Sequence, residues 1–280
     1  MPDMLDAFVQ NLISSVTTDF ARYFIAAGAM AAILWMADNW ADLRRIQKRR
    51  ASFADLKREF LSSARSCIIY GVVGFSTFLM IDAGWVNILQ GPLHWGWFTA
   101  QLVAMIIAHD AYFYWMHRGL HTKVMFRISH LHHHKSRTPT PWTAYSFSSI
   151  EAVTEALFVP IFLLLVPMYS LGIFIFLGHQ IIRNVVGHSG HEVFPAGWLN
   201  TPLLSWFNPV THHDIHHTEG KYNFGLYFRW WDQIMGTEHP QYEERFNAVA
   251  RPFKSPVAAS ATFSILATSV MVVFTSSIFA

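Results

Sequence analysis

The chain has 280 residues, 52% of them hydrophobic, 16% aromatic and only 14% charged, with a formal net charge of +2. Soluble domains average about 25% charged residues, so this composition excludes an ordinary soluble domain and points to the membrane class. The small net charge gives no reason to invoke nucleic acid. A single cysteine, Cys67, excludes an internal disulfide and a cysteine-ligated zinc or iron–sulfur site.

In chain order, the opening MPDMLDAFVQ is acidic and lacks the basic start of a signal peptide, so the first apolar segment is expected to be retained. A helix needs about 20 mostly apolar residues to cross the hydrocarbon core. Residues 20–37, 67–89 (despite Asp82) and 95–116 meet that need. Residues 152–183 contain no Lys or Arg until Arg183, and are too long for one crossing and short for two. Pro160 and Pro167 interrupt them, which predicts a tight helical hairpin that need not reach the far surface. Residues 257–280 read as an extra apolar helix, spanning or interfacial.

Charge orients these segments. Eight Lys/Arg lie between the first two, and none lies around residues 90–96 or at the hairpin tip. The positive-inside rule then puts residues 42–65, 117–151 and 183–256 in the cytoplasm, with every basic residue except Arg22. The basic run at 44–58 reads as a solvated face toward lipid headgroups. No internal repeat is present, and a single domain over 1–280 is expected, all-α: a membrane helical bundle with a cytoplasmic histidine-rich cap holding a dimetal site.

The sixteen histidines are the most informative feature. His117 and His121 are four apart at the predicted cytoplasmic end of the third helix, so both rings face one way. His130, His133 and His134 follow as H-x2-H-H, and His213, His216 and His217 repeat that spacing. His132 and His212 are the outliers of their groups. Eight imidazoles exceed what one tetrahedral zinc takes, so two metals with four or more histidines each are expected. Imidazole suits iron, copper, nickel and zinc, so ligand type alone does not choose the metal.

Further candidates surround the boxes. Asn184-x3-His188 has the same four-residue offset: His188 is a candidate ligand, and Asn184 a candidate to hold a bound water. His191 is a candidate ligand or a neighbour of one. Asp110 lies seven residues before His117 on the same face, and an intramembrane carboxylate is functional by default; it is read as orienting a ligand histidine. Glu151 and Glu155 read first as carboxylates of a helix start, and otherwise as partners of ligand histidines. His179 reads as a buried, hydrogen-bonded histidine, and His94 and His239 as structural.

HDAYFYWMHRGLH, HLHHHKSRTPTPWTAYSF followed by Glu151, GHSGHEVFP, and HHDIHH with YNFGLYFRWWDQIMGT together resemble the fatty acid hydroxylase / sterol desaturase superfamily, and within it the sterol C-5 desaturases. The resemblance covers roughly residues 100–240. It implies a non-haem diiron centre that activates O2 and removes hydrogen from an unactivated C–H bond of a lipid. It further implies that the eight box histidines and His188 are ligands. Asn184 stands where some relatives have a histidine, and Ser148-Ser149 where sterol desaturases usually read His-Pro. The oxidation needs an external reductant, and the chain has no nucleotide-binding glycine loop, clustered cysteines or fused cytochrome pattern. Electrons from NAD(P)H are therefore expected through separate redox proteins, such as ferredoxin or cytochrome b5 with a reductase. Basic residues at 118–137 and 221–254 are candidate docking points for an acidic donor.

The substrate is expected to be a sterol or sterol-like lipid, with hydroxylation of a carotenoid, sphingolipid or fatty acyl chain as the alternative. A histidine-rich metal transporter or store would place ligands near the bilayer midplane within broken helices, whereas these histidines fall at helix ends on one side. A metal-dependent lipid hydrolase would want an open zinc site and a carboxylate base, which this many histidines overfill.

Overall fold

The computed structural model describes residues 2–252; the predicted helix at 257–280 lies outside the described residues. The fold is mostly helical. Three helices are long and apolar enough to cross a membrane: Leu5–Met36, within helix α1 (Pro2–Met36); α2, Phe53–Asp82; and α6, Ser170–Gly187. Between α2 and α6 lie α3 (Trp95–Leu120), α4 (Ser149–Ala156) and α5 (Phe158–Leu165). The third predicted crossing is present as α3, but its Gln101, His109 and Asp110 are polar and buried, and it is not one of the three candidate spans.

Boundaries differ from the expected ones for local reasons. Helix α2 starts at a capping box in which Ser52 Oγ accepts from the Asp55 N–H (3.2 Å) and Asp55 Oδ2 accepts from the Ser52 N–H (3.0 Å). It ends at Asp82, not at residue 89, because Gly84 takes φ +75° and closes the helix with N–H bonds from Gly84 to Ile81 O and from Trp85 to Met80 O. Asp82 is thus a helix end and not a mid-span charge. In the hairpin, Pro160 lacks the N–H that would bond Ala156, and the helix breaks at Ala156–Leu157 into α4 and α5. Pro167 falls in the turn before α6. The turn after α2 meets that hairpin tip through a two-residue parallel pair, Ile88–Leu89 with Met168–Tyr169.

Helices α1 and α2 approach closely. A Cβ on Gly71 would lie 2.5 Å from Val16 Cα, and Ser15 Oγ donates to Gly71 O (2.9 Å). Small residues at a crossing and an interhelical hydrogen bond are the usual means of helix association in lipid. The outer faces are apolar, with Trp35, Ile68, Phe78, Ile107 and Leu165 exposed.

The connection between α1 and α2 folds onto the histidine-bearing end. Arg44 is buried and donates to Glu192 O (3.0 Å), Phe194 O (3.2 Å) and Arg251 O (2.7 Å). The expectation that the whole 44–58 run is a solvated face is corrected here: a guanidinium with several carbonyl acceptors satisfies its donors inside the protein.

Candidate metal centre

Nine histidines converge at this end, in two groups. His117 and His121 end α3. His130 closes a single π-helical turn (Phe126–His130), and His133 and His134 open a 3-10 turn (His133–Lys135). His188 caps α6, and α7 (Val210–Glu219) carries His213, His216 and His217. His117, His121, His130, His134 and His216 have ligand nitrogens within 4.8 Å of one another, as do His133, His188, His213 and His217. The H-x2-H-H boxes are therefore split: each sends side chains to both groups. A turn of helix spreads three imidazoles around an arc, and two centres side by side use both edges of that arc.

The ring orientations are set by oxygen atoms behind them. His117 Nδ1 donates to Phe224 O (2.8 Å), His216 Nδ1 to Tyr222 O (2.7 Å), His188 Nδ1 to Asn184 O (2.8 Å), and His130 Nδ1 to Glu151 Oε1 (2.6 Å). A carbonyl oxygen only accepts, so the Nδ1 atoms facing one carry the proton and each neutral ring keeps its lone pair on Nε2. The Nε2 atoms face one another in pairs. His117 and His130 Nε2 are 3.0 Å apart, His134 Nε2 is 3.1 Å from the Nε2 of both His121 and His216, and His188 Nε2 is 2.9 Å from His213 and 3.2 Å from His133. Two unprotonated nitrogens at that distance repel unless a cation lies between them. Burial, with neighbouring imidazoles, holds the rings neutral: His134 is pushed down to about 3 and His188 to about 4, and His133, His213, His216 and His217 fall well below the ordinary histidine value.

The donor set fits metal. Nitrogens 2.9–3.2 Å apart match the edge of an octahedron of about 2.1 Å metal–nitrogen distance, about 3.0 Å, better than the tetrahedral edge of about 3.4 Å. The five-histidine group has the fuller supporting shell. In the four-histidine group, Nδ1 of His133, His213 and His217 have no hydrogen-bond partner among the described residues.

Other expected site residues lie elsewhere. Asp110 does not touch a ligand histidine: Oδ1 accepts from the Tyr227 (2.9 Å) and Phe228 (3.3 Å) N–H groups, and Oδ2 from Trp230 Nε1 (2.9 Å). With Asp232, which accepts from the N–H groups of Phe224 and Gly225 (2.8 Å each), it pins the loop whose Phe224 carbonyl orients His117. The Asn184 side chain is committed to Ala144 O (2.9 Å), and its backbone carbonyl serves His188. His191 joins neither group. The Gly190 turn (φ +69°) directs it away, and its Nδ1 bonds Ser189 O (2.7 Å). His132 bonds Ser62 Oγ (2.7 Å), and His239 sits 3.1 Å from Glu219. Glu151, read first as a helix-start carboxylate, is both that and the partner of His130: its N–H is capped by Ser148 Oγ (3.2 Å) while its carboxylate is buried. Sequence spacing could not find the backbone carbonyls of Phe224 and Tyr222, because any residue supplies one.

The fatty acid hydroxylase family model matches residues 102–237, and the resemblance read from the sequence is borne out. Lathosterol oxidase of Mus musculus is 28% identical over 192 residues, covering 66% of this chain and 62% of that protein. A Delta(7)-sterol 5(6)-desaturase of Gibberella zeae is 29% identical over 151 residues (54% of this chain, 45% of that protein), and a C-4 methylsterol oxidase of Schizosaccharomyces pombe is 27% identical over 165 residues (55% and 52%). The chain thus matches about half to three-fifths of the length of these relatives. No solved structure matches.

Proposed function

With residues 102–237 matching the fatty acid hydroxylase family, we propose that the protein is a membrane-bound oxidoreductase that uses O2 to desaturate or hydroxylate an unactivated C–H bond of a sterol or sterol-like lipid. His117, His121, His130, His134 and His216 would hold one iron, and His133, His188, His213 and His217 the other. The observation that carries this is the convergence of nine imidazoles in two groups, with Nε2 atoms 2.9–3.2 Å apart and His117, His188 and His216 held by backbone carbonyls behind them. When bound, the iron pair supplies the oxygen and electron chemistry that acid–base side chains lack.

The chain's own residues do the rest. Glu151 takes the His130 Nδ1 proton in a hydrogen bond, which fixes the ring and raises its basicity. Asp110 and Asp232 hold the 224–230 loop so that the Phe224 carbonyl stays behind His117. Burial of eight of the nine rings excludes water from the site.

The same reading takes residues 1–280 as one membrane-embedded domain with its histidines on the cytoplasmic side, where a separate ferredoxin or cytochrome b5 with its reductase would deliver electrons. The relatives' names cover both a desaturation and a methylsterol oxidation, so both outcomes stay open at the substrate level. A metal transporter is disfavoured because the histidines sit at helix ends behind fixed carbonyls and not at mid-span.

Iron-loaded protein in lipid nanodiscs, given a reductant and a sterol, should contain two irons per chain and consume O2 as it forms an oxidised sterol. Equal turnover under argon, or one metal per chain held by three histidines, overturns the proposal.

A further inference from the structure

A cavity of about 450 Å3 lies among α1 to α6, a size typical of small-molecule sites. Its wall changes character with depth. Helix α6 contributes Ile173 and Leu177, then Gln180, and reaches the ligand His188 eight residues later, about 12 Å along the axis. Helix α4 contributes Glu155, one turn beyond the Glu151 that bonds His130. The end facing the imidazoles therefore carries the ionisable and phenolic groups, Arg22, Tyr70 and Glu155, with Gln180, whereas the far end has no ionisable group and sets Phe78, Ile81 and Leu163 beside the neutral Asn11 and Ser14.

The polar end has unused bonding capacity. Tyr70 Oη is buried and has no partner among the described residues. The Glu155 side chain is buried and makes no hydrogen bond among the described residues. Arg22 is paired with Asp19 on the same helix, inside a candidate span. Ionisable groups at that depth mark functional sites, and an unpaired hydroxyl in apolar surroundings is costly.

No ligand histidine lines the cavity, yet the partition is one aromatic ring thick. Phe147 stands between Tyr145 on the wall (6.2 Å between ring centres) and His133 (5.0 Å). Phe113 stands between His109 on the wall (6.4 Å) and His117 (5.0 Å).

We propose that this chamber takes a lipid alcohol hydroxyl end first, with Tyr70 Oη and the Glu155 carboxyl as the hydroxyl's partners and the hydrocarbon directed toward Phe78 and Leu163. The carbons set against the Phe113–Phe147 partition are then those within a few bonds of the hydroxyl, and the remote end of the lipid lies farthest from the histidines. The choice of oxidised carbon rests on the oxygenase reading; the binding mode does not.

The test separates the two. A tritiated 3-hydroxysterol and its 3-deoxy counterpart are titrated onto the protein in nanodiscs without iron or O2. The alcohol should bind roughly tenfold more tightly, Tyr70→Phe should remove most of that preference without weakening the deoxy compound, and Leu177→Trp, which fills the apolar end, should weaken both. Equal affinity for the two compounds, a preference untouched by Tyr70→Phe, or undiminished binding of both compounds in Leu177→Trp overturns the proposal. With iron, reductant and O2 added, oxidation close to the hydroxyl supports the orientation, and oxidation at the remote chain end overturns it. Intact alcohol preference without turnover supports the chamber and counts against the oxygenase reading; turnover without alcohol preference counts against the chamber alone.

Discussion

Glu151 accepts the Nδ1 proton of His130 at 2.6 Å, both side chains buried, so one carboxylate fixes the tautomer of a ring whose Nε2 faces His117 at 3.0 Å. Removing such a partner commonly costs 10–100-fold in metal affinity or activity. Glu151→Ala should therefore weaken iron in the five-histidine group by about that factor, and Glu151→Gln, which still accepts a hydrogen bond, by less. Iron titration followed by optical absorption measures it; equal affinity in the alanine variant refutes the orienting role.

His191 separates spacing from geometry. His133→Ala or His217→Ala removes a member of the four-histidine group, whereas His191 belongs to neither group. Metal analysis should find near-complete loss of one iron per chain in the first two variants. It should find wild-type iron content in His191→Ala and in His94→Ala. Loss of iron in His191→Ala would put that residue back among the ligands.

Asp110 receives two backbone N–H groups and the Trp230 indole N–H. Asp110→Asn turns one acceptor into a donor facing another donor, a cost of about 1–3 kcal/mol. A lower unfolding temperature is expected, with weaker iron binding only in the group that contains His117. If both groups weaken equally, the effect does not travel through the 224–230 loop.

Gly225 sits where that loop is most crowded: a Cβ there would lie 2.6 Å from Phe228 O and 2.9 Å from Asp232 Oδ2. Gly225→Ala must displace backbone and carboxylate together. It should destabilise the protein by about 1–3 kcal/mol, in the range of overpacked sites. Chemical unfolding in detergent measures this, and a neutral result would mean that the loop relaxes freely.

Glu192 accepts from the Thr211 N–H (2.8 Å) and hydroxyl (2.7 Å) and the Phe194 N–H (3.0 Å), but burial outweighs those bonds and raises it from 4.5 to about 7. A raised carboxyl means that the folded state holds a proton the unfolded state has lost between pH 4.5 and 7. Its contribution is full below the unfolded value and is lost as pH climbs through the folded one, by at most roughly 3 kcal/mol. Glu192→Gln should flatten the fall in melting temperature between pH 5 and about 7; an unchanged profile would show that another group sets it.

The nine histidines were legible because imidazole is a specific metal ligand and the four-residue offset survives in any helix. Their division was not. His130 and His134 go to one group while His133 between them goes to the other, a choice made by the π turn and the 3-10 turn that re-aim successive side chains. Asp110 shows the converse failure: it lies on the expected face of α3, but its neighbours are backbone donors more than 115 residues away in sequence, which no local pattern encodes.

Composition and periodicity alone determined that this is a helical chain with segments long and apolar enough to cross a membrane and an imidazole-rich end, because apolar runs and ligand chemistry are properties of local residue types. Tertiary structure alone decided the pairing of rings with carbonyls, the burial of Arg44 and the chamber beside the histidine groups. Each of these is a contact between segments distant in the chain, fixed by where packed helices bring their ends and not by the spacing within any one of them.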